Sequence, residues 1–181
     1  MIYIFTGNGK GKTTAAIGTA IRALGNGEKV LFIQFMKDET ITSETKILRK
    51  LENITLKSFG RKGFYLPKDM LEKNPDLVKY GVKPLEEIDK KLAYEGLEFV
   101  RENIENSDLI VLDEVCIAIY FRLLKVEDVI DLLKKFPHKD FIITGRNCPQ
   151  ELLDIADLIT EMKEVKHPYQ KGIKAKKGLD Y

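Results

Sequence analysis

The segment Thr6-Gly7-Asn8-Gly9-Lys10-Gly11-Lys12-Thr13-Thr14 constrains this chain more than any other. It follows the short β-rich run Ile2–Phe5. It precedes Thr13–Leu24, where Ala16, Ile17, Ala20, Ile21 and Leu24 recur at helical spacing until Gly25 or Gly27. Glycines let the backbone wrap inward, so that successive N–H groups converge on one anion. The helix that follows adds the positive end of its dipole. Lys12 supplies a mobile charge for phosphate oxygens, and Thr13 offers a hydroxyl to Mg²⁺. Against the pattern GxxxxGK[ST], Thr6 occupies the first glycine position and Gly7 comes one residue late, while the Gly-Lys-Thr end is intact.

The rest of the chain alternates in the way such a start demands. Lys29–Phe35 reads as a buried strand, Ser43–Leu51 as a short helix and Ile54–Ser58 as a strand. Leu85–Asn103 is a long amphipathic helix, Leu109–Asp113 a buried strand, Val126–Lys135 a helix and Phe141–Thr144 a strand. Pro149–Ala156 is a helix with proline at its start, and Leu158–Glu164 a last strand. Strands separated by helices predict a mostly parallel sheet with helices on both faces, which binds ligands at the C-terminal strand ends. The length, 181 residues, suits a single domain over 1–181. Between Gly60 and Pro84 the pattern breaks into glycines, prolines and the aromatics Phe64, Tyr65 and Tyr80. We expect a long irregular segment there with a short helix near Lys68–Lys73; segments of this kind are often functional. From Lys166 to Tyr181 the chain ends in a basic tail.

Composition removes several classes. A hydrophobic share of 44% excludes a disordered chain, and a net charge of +2 calls for neither nucleic acid nor an anionic membrane. No apolar run approaches the roughly 20 residues of a membrane span. Met1-Ile2-Tyr3-Ile4-Phe5 has no basic leader, so a cytoplasmic protein is expected. Cys116 and Cys148 are far apart in sequence and form no CxxC pair, which reads as two buried thiols. His138 and His167 have no ligand partners nearby in sequence.

Three further motifs stand out, the first two at strand ends that a parallel sheet would bring to the phosphate loop. Leu109-Ile110-Val111-Leu112-Asp113-Glu114 delivers two carboxylates at the end of an apolar strand, suited to a Mg²⁺ shell. Ile142-Ile143-Thr144-Gly145-Arg146 repeats the design with a charge that can neutralise phosphate. His167-Pro168-Tyr169 opens the basic tail.

Together these segments resemble the P-loop family of ATP:corrinoid adenosyltransferases. The resemblance is carried by Thr6–Gly18, Arg22-Ala23-Leu24-Gly25, Gln34-Phe35-Met36-Lys37, Val111–Glu114, Ile143–Arg146, Leu153–Glu161, and Val165–Tyr169 through Gly172-Ile173, Gly178 and Asp180-Tyr181. It implies a P-loop NTPase-like (RecA-like) fold. It also implies attack by the cobalt of cob(I)alamin on C5′ of ATP, with loss of triphosphate. By matching positions, Gly7, Asn8, Gly9, Lys10, Gly11, Lys12, Thr13 and Thr14 would bind the triphosphate. Thr13 and Glu114 would serve Mg²⁺ with support from Asp113, and Arg22, Lys37 and Arg146 would add charges at the ATP site. The corrinoid would lie near Gly60–Tyr80 and the tail. The family's usual Gly-Phe-x-Trp-like run is here Gly63-Phe64-Tyr65-Leu66, and the chain has no tryptophan. Displacing the lower cobalt ligand would fall to Phe64 and Leu66. The resemblance further implies a homodimer and an electron donor such as a reduced flavoprotein. The residues leave a P-loop ATPase as an alternative, and the resemblance leaves a nucleotide-dependent corrinoid-binding module.

Overall fold

The structure is a computed structural model describing residues 1–40, 43–166, 176 and 178–179. His167-Pro168-Tyr169, Gly172-Ile173 and Asp180-Tyr181, with most of the expected basic tail, lie outside the described residues. In chain order the elements are β1 (Ile2–Thr6), α1 (Lys12–Gly25), β2 (Val30–Phe35), α2 (Thr45–Leu48), β3 (Ile54–Phe59), β4 (Phe64–Leu66), α3 (Lys68–Lys73), α4 (Asp76–Lys79), β5 (Val82–Pro84), α5 (Glu87–Asn103), β6 (Leu109–Asp113), α6 (Val115–Tyr120), α7 (Val126–Lys135), β7 (Asp140–Thr144), α8 (Gln150–Leu153) and β8 (Leu158–Glu161). A 3₁₀ turn at Ile104–Asn106 follows α5.

Six of the strands make one sheet in the order β3-β2-β6-β7-β1-β8. Every pairing is parallel. The near-continuous apolar runs of β2, β6 and β7 follow from burial on both faces. Alternation inside those runs sorts the side chains. Ile4, Leu31, Ile33, Phe35, Ile110, Leu112, Phe141 and Ile143 join the core under α5, α6, α7 and α8. Phe5, Val30, Phe32, Leu109, Val111 and Ile142 join the core under α1 and α2. Ala16 and Ala20 are the fully buried apolar residues of α1, and their small size lets the helix lie close to the sheet. A capping box, Glu86 with Asp89, starts α5, and Ala93, Gly96, Leu97 and Val100 form its buried stripe. With β7 between β1 and β6, this is an α/β, P-loop NTPase-like sheet with helices on both faces.

The stretch expected to be irregular holds β4, α3, α4 and β5, and β4 and β5 pair in parallel as a small second sheet. A parallel pair needs a crossover of a dozen or so residues, and α3 and α4 provide it. Arg61 ties this unit down. Its guanidinium grips both carboxylate oxygens of Asp89, donates to Glu86 Oε2 at 3.0 Å and lies 4.0 Å from the centroid of the Tyr65 ring. Three expectations shorten: β8 ends at Glu161, α2 spans Thr45–Leu48 and α8 is the single turn Gln150–Leu153. The six-residue α6 emerges where only a strand end was read. Among the described residues no helix is long and apolar enough to cross a membrane.

Candidate active site

The parallel register brings the C-terminal ends of β1, β2, β6 and β7 side by side. Phe5 is level with Thr144, Gln34 with Asp113 and Leu112 with Ile143. The loop from Gly7 to Gly11 opens above these ends and leads into α1. Gly11 precedes α1 with φ +115°, no side chain caps that helix and no acid lies in its first turn. Its leading amides are therefore not capped by a side chain, as an anion site requires. At Gly7 the constraint is contact as well as conformation. A Cβ there would meet Met162 O at 2.5 Å, because the chain leaving β8 closes on the loop through Gly9 N to Met162 O at 2.7 Å.

Lys12 is buried and folds back, donating to Gly7 O at 2.9 Å and Gly9 O at 2.8 Å. Burial pushes its pKa down and the Arg146 charge adds to that, against opposite pulls from Glu114 and Asp113. Arg146 reaches the loop, with Nη2 3.3 Å from Asn8 O. Lys10 donates to Leu179 O, and Thr6 Oγ1 donates to Gly145 O at 2.8 Å.

Asp113 is the hub. Its carboxylate is fully buried. Oδ1 accepts from Thr13 Oγ1 at 2.8 Å and Thr144 Oγ1 at 2.7 Å. Oδ2 accepts from Lys37 Nζ at 2.7 Å and Gln34 Nε2 at 3.2 Å. Burial alone would raise its pKa, but the Lys37 charge and the bonds from Lys37, Thr144 and Thr13 together hold it below the ordinary value. Lys37 shows the converse: burial works against its charge, yet Asp113 and Glu114 raise its pKa. Glu114 has its pKa raised, first by burial and then by the Asp113 charge, despite Lys37, Lys12 and Arg146. Its backbone N–H donates to Thr144 Oγ1 at 2.9 Å.

Strain concentrates at the same edge. Met36, Glu114 and Asn147 follow β2, β6 and β7 with φ of +58°, +63° and +52°. Left-handed backbone at a non-glycine residue costs on the order of 1–3 kcal/mol and persists only where its surroundings hold it. Here it turns Lys37, Glu114 and the Arg146 loop sharply away from their strands.

The loop residues Gly7 to Thr13, Lys37, Asp113, Glu114 and Arg146 thus come together, and Thr14 follows on α1. Arg22 does not join them. It is ten residues further along α1, about 15 Å by helical rise. There it lines a separate cavity of about 560 Å³ with Tyr3, Asn26, Leu109, Phe141 and Ile142, at the other end of the sheet. Phe64 and Leu66 stand on β4, outside the Asp113 network; Phe64 is 71% exposed and Leu66 half-buried. Gln34 and Thr144 were not singled out as site residues. Their signal is a polar residue at or near the C-terminal end of an otherwise apolar strand. Ser58 extends the network by donating to Gln34 Oε1 at 2.9 Å. Cys116 and Cys148, far apart in sequence, meet beside this edge. The Cys116 thiol is pushed up by a hydrogen bond with Cys148 and by burial.

The sequence model of the ATP:corrinoid adenosyltransferase family BtuR/CobO/CobP matches residues 1–181. The chain belongs to this family. It is 34% identical over 192 residues to a corrinoid adenosyltransferase of Escherichia coli strain K12, with 100% of this chain and 85% of the relative covered. It is 35% identical over 182 residues to the corrinoid adenosyltransferase CobA of Salmonella typhimurium, with the same coverage. A corrinoid adenosyltransferase of Pseudomonas aeruginosa is 32% identical over 185 residues, covering 100% of this chain and 83% of the relative. In this member of the adenosyltransferase family, the loop, Asp113 and Glu114 make one compact polar group on an apolar sheet edge.

Proposed function

We propose that this chain transfers the 5′-deoxyadenosyl group of ATP to the cobalt of a reduced corrinoid and releases inorganic triphosphate. The observation that carries this reading is the family match over the whole chain. The geometry supplies the physical means. In the reaction the electron pair of Co(I) forms the Co–C5′ bond, and the C5′–O bond breaks with its pair going to the triphosphate. The nucleophile gives up no proton, so the step needs no general base. What it needs is stabilisation of a polyanionic leaving group. The Gly7–Thr13 loop, the side-chain-uncapped start of α1 and Lys12 offer that, with Arg146 at the rim.

Thr13, Asp113 and Glu114 fit Mg²⁺ by chemistry. They present hard oxygen donors, and Mg²⁺ commonly takes one or two carboxylates and completes its shell with water and substrate phosphates. Among the described residues no group of three or more His, Cys, Asp or Glu gathers to hold a metal by itself. We assign the ion to Thr13 and Glu114, with Asp113 orienting Thr13. When bound, Mg²⁺ would offset charge on the triphosphate. We assign Phe64 and Leu66 to the corrinoid side; the exposure of Phe64 supports that placement. Cob(I)alamin as acceptor, a reduced flavoprotein as electron donor, a homodimer and a cytoplasmic location complete the reading.

The test is incubation with ATP, Mg²⁺ and chemically reduced cobalamin. The expected result is the visible spectrum of a Co–C product together with free triphosphate. ADP and phosphate without that spectrum would make the chain an ATPase and overturn the proposal.

A further inference from the structure

Asp113 has no acceptor capacity to spare. A carboxylate offers about four lone-pair sites, and Thr13 Oγ1, Thr144 Oγ1, Gln34 Nε2 and Lys37 Nζ supply four donors. Lys37 Nζ also lies 3.2 Å from Thr13 Oγ1. One ammonium therefore bridges the hydroxyl and the carboxylate that line the metal position assigned above. Three of the donors belong to rigid elements: Gln34 to β2, Thr144 to β7 and Thr13 to the first turn of α1. Lys37 is on a four-carbon stem outside any element, its side chain 20% exposed. Its backbone is fixed, because Met36 is left-handed and a Cβ on Gly60 would meet Lys37 N at 2.5 Å. Only the side chain is free to swing.

We propose that Lys37 is a tethered counter-cation that competes with a divalent cation for Thr13 Oγ1 and holds the Asp113 carboxylate that orients it. A divalent cation gains Thr13 Oγ1, with Asp113 still orienting that hydroxyl, when polyphosphate draws the lysine away. Lys37 then couples metal binding to nucleotide binding. A dication next to an ammonium is repelled, whereas phosphate oxygens attract both. The same logic holds at Lys12, whose ammonium rests on Gly7 O and Gly9 O and has to exchange those carbonyls for phosphate. The inference rests on the metal assignment above and goes beyond it in giving Lys37 control of metal affinity.

The experiment titrates the nucleotide-free protein with Mn²⁺, read as loss of the free-ion signal in electron paramagnetic resonance. Wild type should bind weakly. Lys37→Met should bind at least tenfold more tightly, and Lys37→Met with Asp113→Asn should lose that gain. Mn²⁺ should also raise the melting temperature of Lys37→Met more than that of wild type. Lys37→Gln keeps a donor for Asp113 without the charge, and it serves if the methionine variant does not fold. Its Mn²⁺ affinity should rise in the same direction. Folded Lys37 variants that bind Mn²⁺ no more tightly than wild type would overturn the proposal. Co–C product formation by wild type is read separately. If the product forms while Mn²⁺ affinities stay equal, the role of Lys37 falls and the adenosyltransferase reading stands.

Discussion

At Lys12 a charge rests on the loop's own carbonyls, and in the proposed reaction it would serve the leaving triphosphate without reaching in from solvent. Lys12→Ala should reduce turnover by about 10²–10³, the effect of removing one donor to a developing anion, worth roughly 2.7–4 kcal/mol. Steady-state rates measured beside a circular-dichroism spectrum check that the loss is chemical. Glu114 makes the opposite bargain with stability. Its folded pKa lies above the ordinary 4.5, so the folded chain holds that proton more tightly than the unfolded one. The resulting penalty is absent at low pH. It begins as pH rises through the ordinary glutamate range and is complete above the folded pKa. Metal-free Glu114→Gln should therefore melt higher than wild type at neutral pH, with the gap closing as pH falls from the folded pKa to about 4.5, while turnover of the metal-loaded variant drops because an amide holds a hard cation less well. Thermal melts across that range decide it; a gap independent of pH would remove charge as the cause.

Among the elements, β4 and β5 form a small sheet of their own beside the six-stranded one. Its anchor is shared: Asp89 accepts from Arg61 and also from Glu86 N at 2.8 Å, so the start of α5 and the base of the small sheet are fixed by one carboxylate. Phe64 projects from the anchored strand into solvent. If it walls off the lower face of the corrin, Phe64→Ala opens a path for a ligand or water to reach cobalt. A large defect is expected when the assay starts from Co(II), a small one from pre-reduced Co(I), and little change in ATP affinity. Co(II) coordination by electron paramagnetic resonance reads it directly, and equal four-coordinate fractions in the two proteins would take Phe64 out of the corrinoid site.

Over the whole molecule, two cores share one sheet, and the strands that carry Asp113 and Gln34 are buried on both sides. Site geometry and core packing are therefore one problem along β6. Leu112 is fully buried one residue before Asp113. Leu112→Ala should cost about 2–5 kcal/mol through lost burial and a residual cavity. In a domain of this size each kcal/mol moves the melting midpoint by about 2–4 °C. Phe64→Ala, at an exposed tip, should change stability by about 0.5 kcal/mol or less. Parallel melts of the two variants separate a residue that holds the fold from one that does not.

The strand–loop–helix start, the apolar strands and the carboxylates after Leu112 were legible because each is a local pattern. Glycine freedom, two-residue alternation and helical periodicity are all set by near neighbours. Three boundaries overran for the same reason, since the local pattern of Ser43–Leu51, Pro149–Ala156 and Leu158–Glu164 runs past the residues that keep the element's backbone hydrogen bonds. The parallel pairing of β4 with β5 was invisible, because three-residue strands carry too little pattern and their partners lie 18 residues apart. Arg22 shows the reverse. Its motif placed it with the ATP-site charges, and the length of α1 carries it to the far end of the sheet. Only the tertiary structure decides that Thr13, Gln34, Lys37 and Thr144 converge on one buried carboxylate. The sequence determines which residues can accept or donate. Strand order in the folded sheet decides which of them meet, because those bonds join positions up to a hundred residues apart that no local preference links.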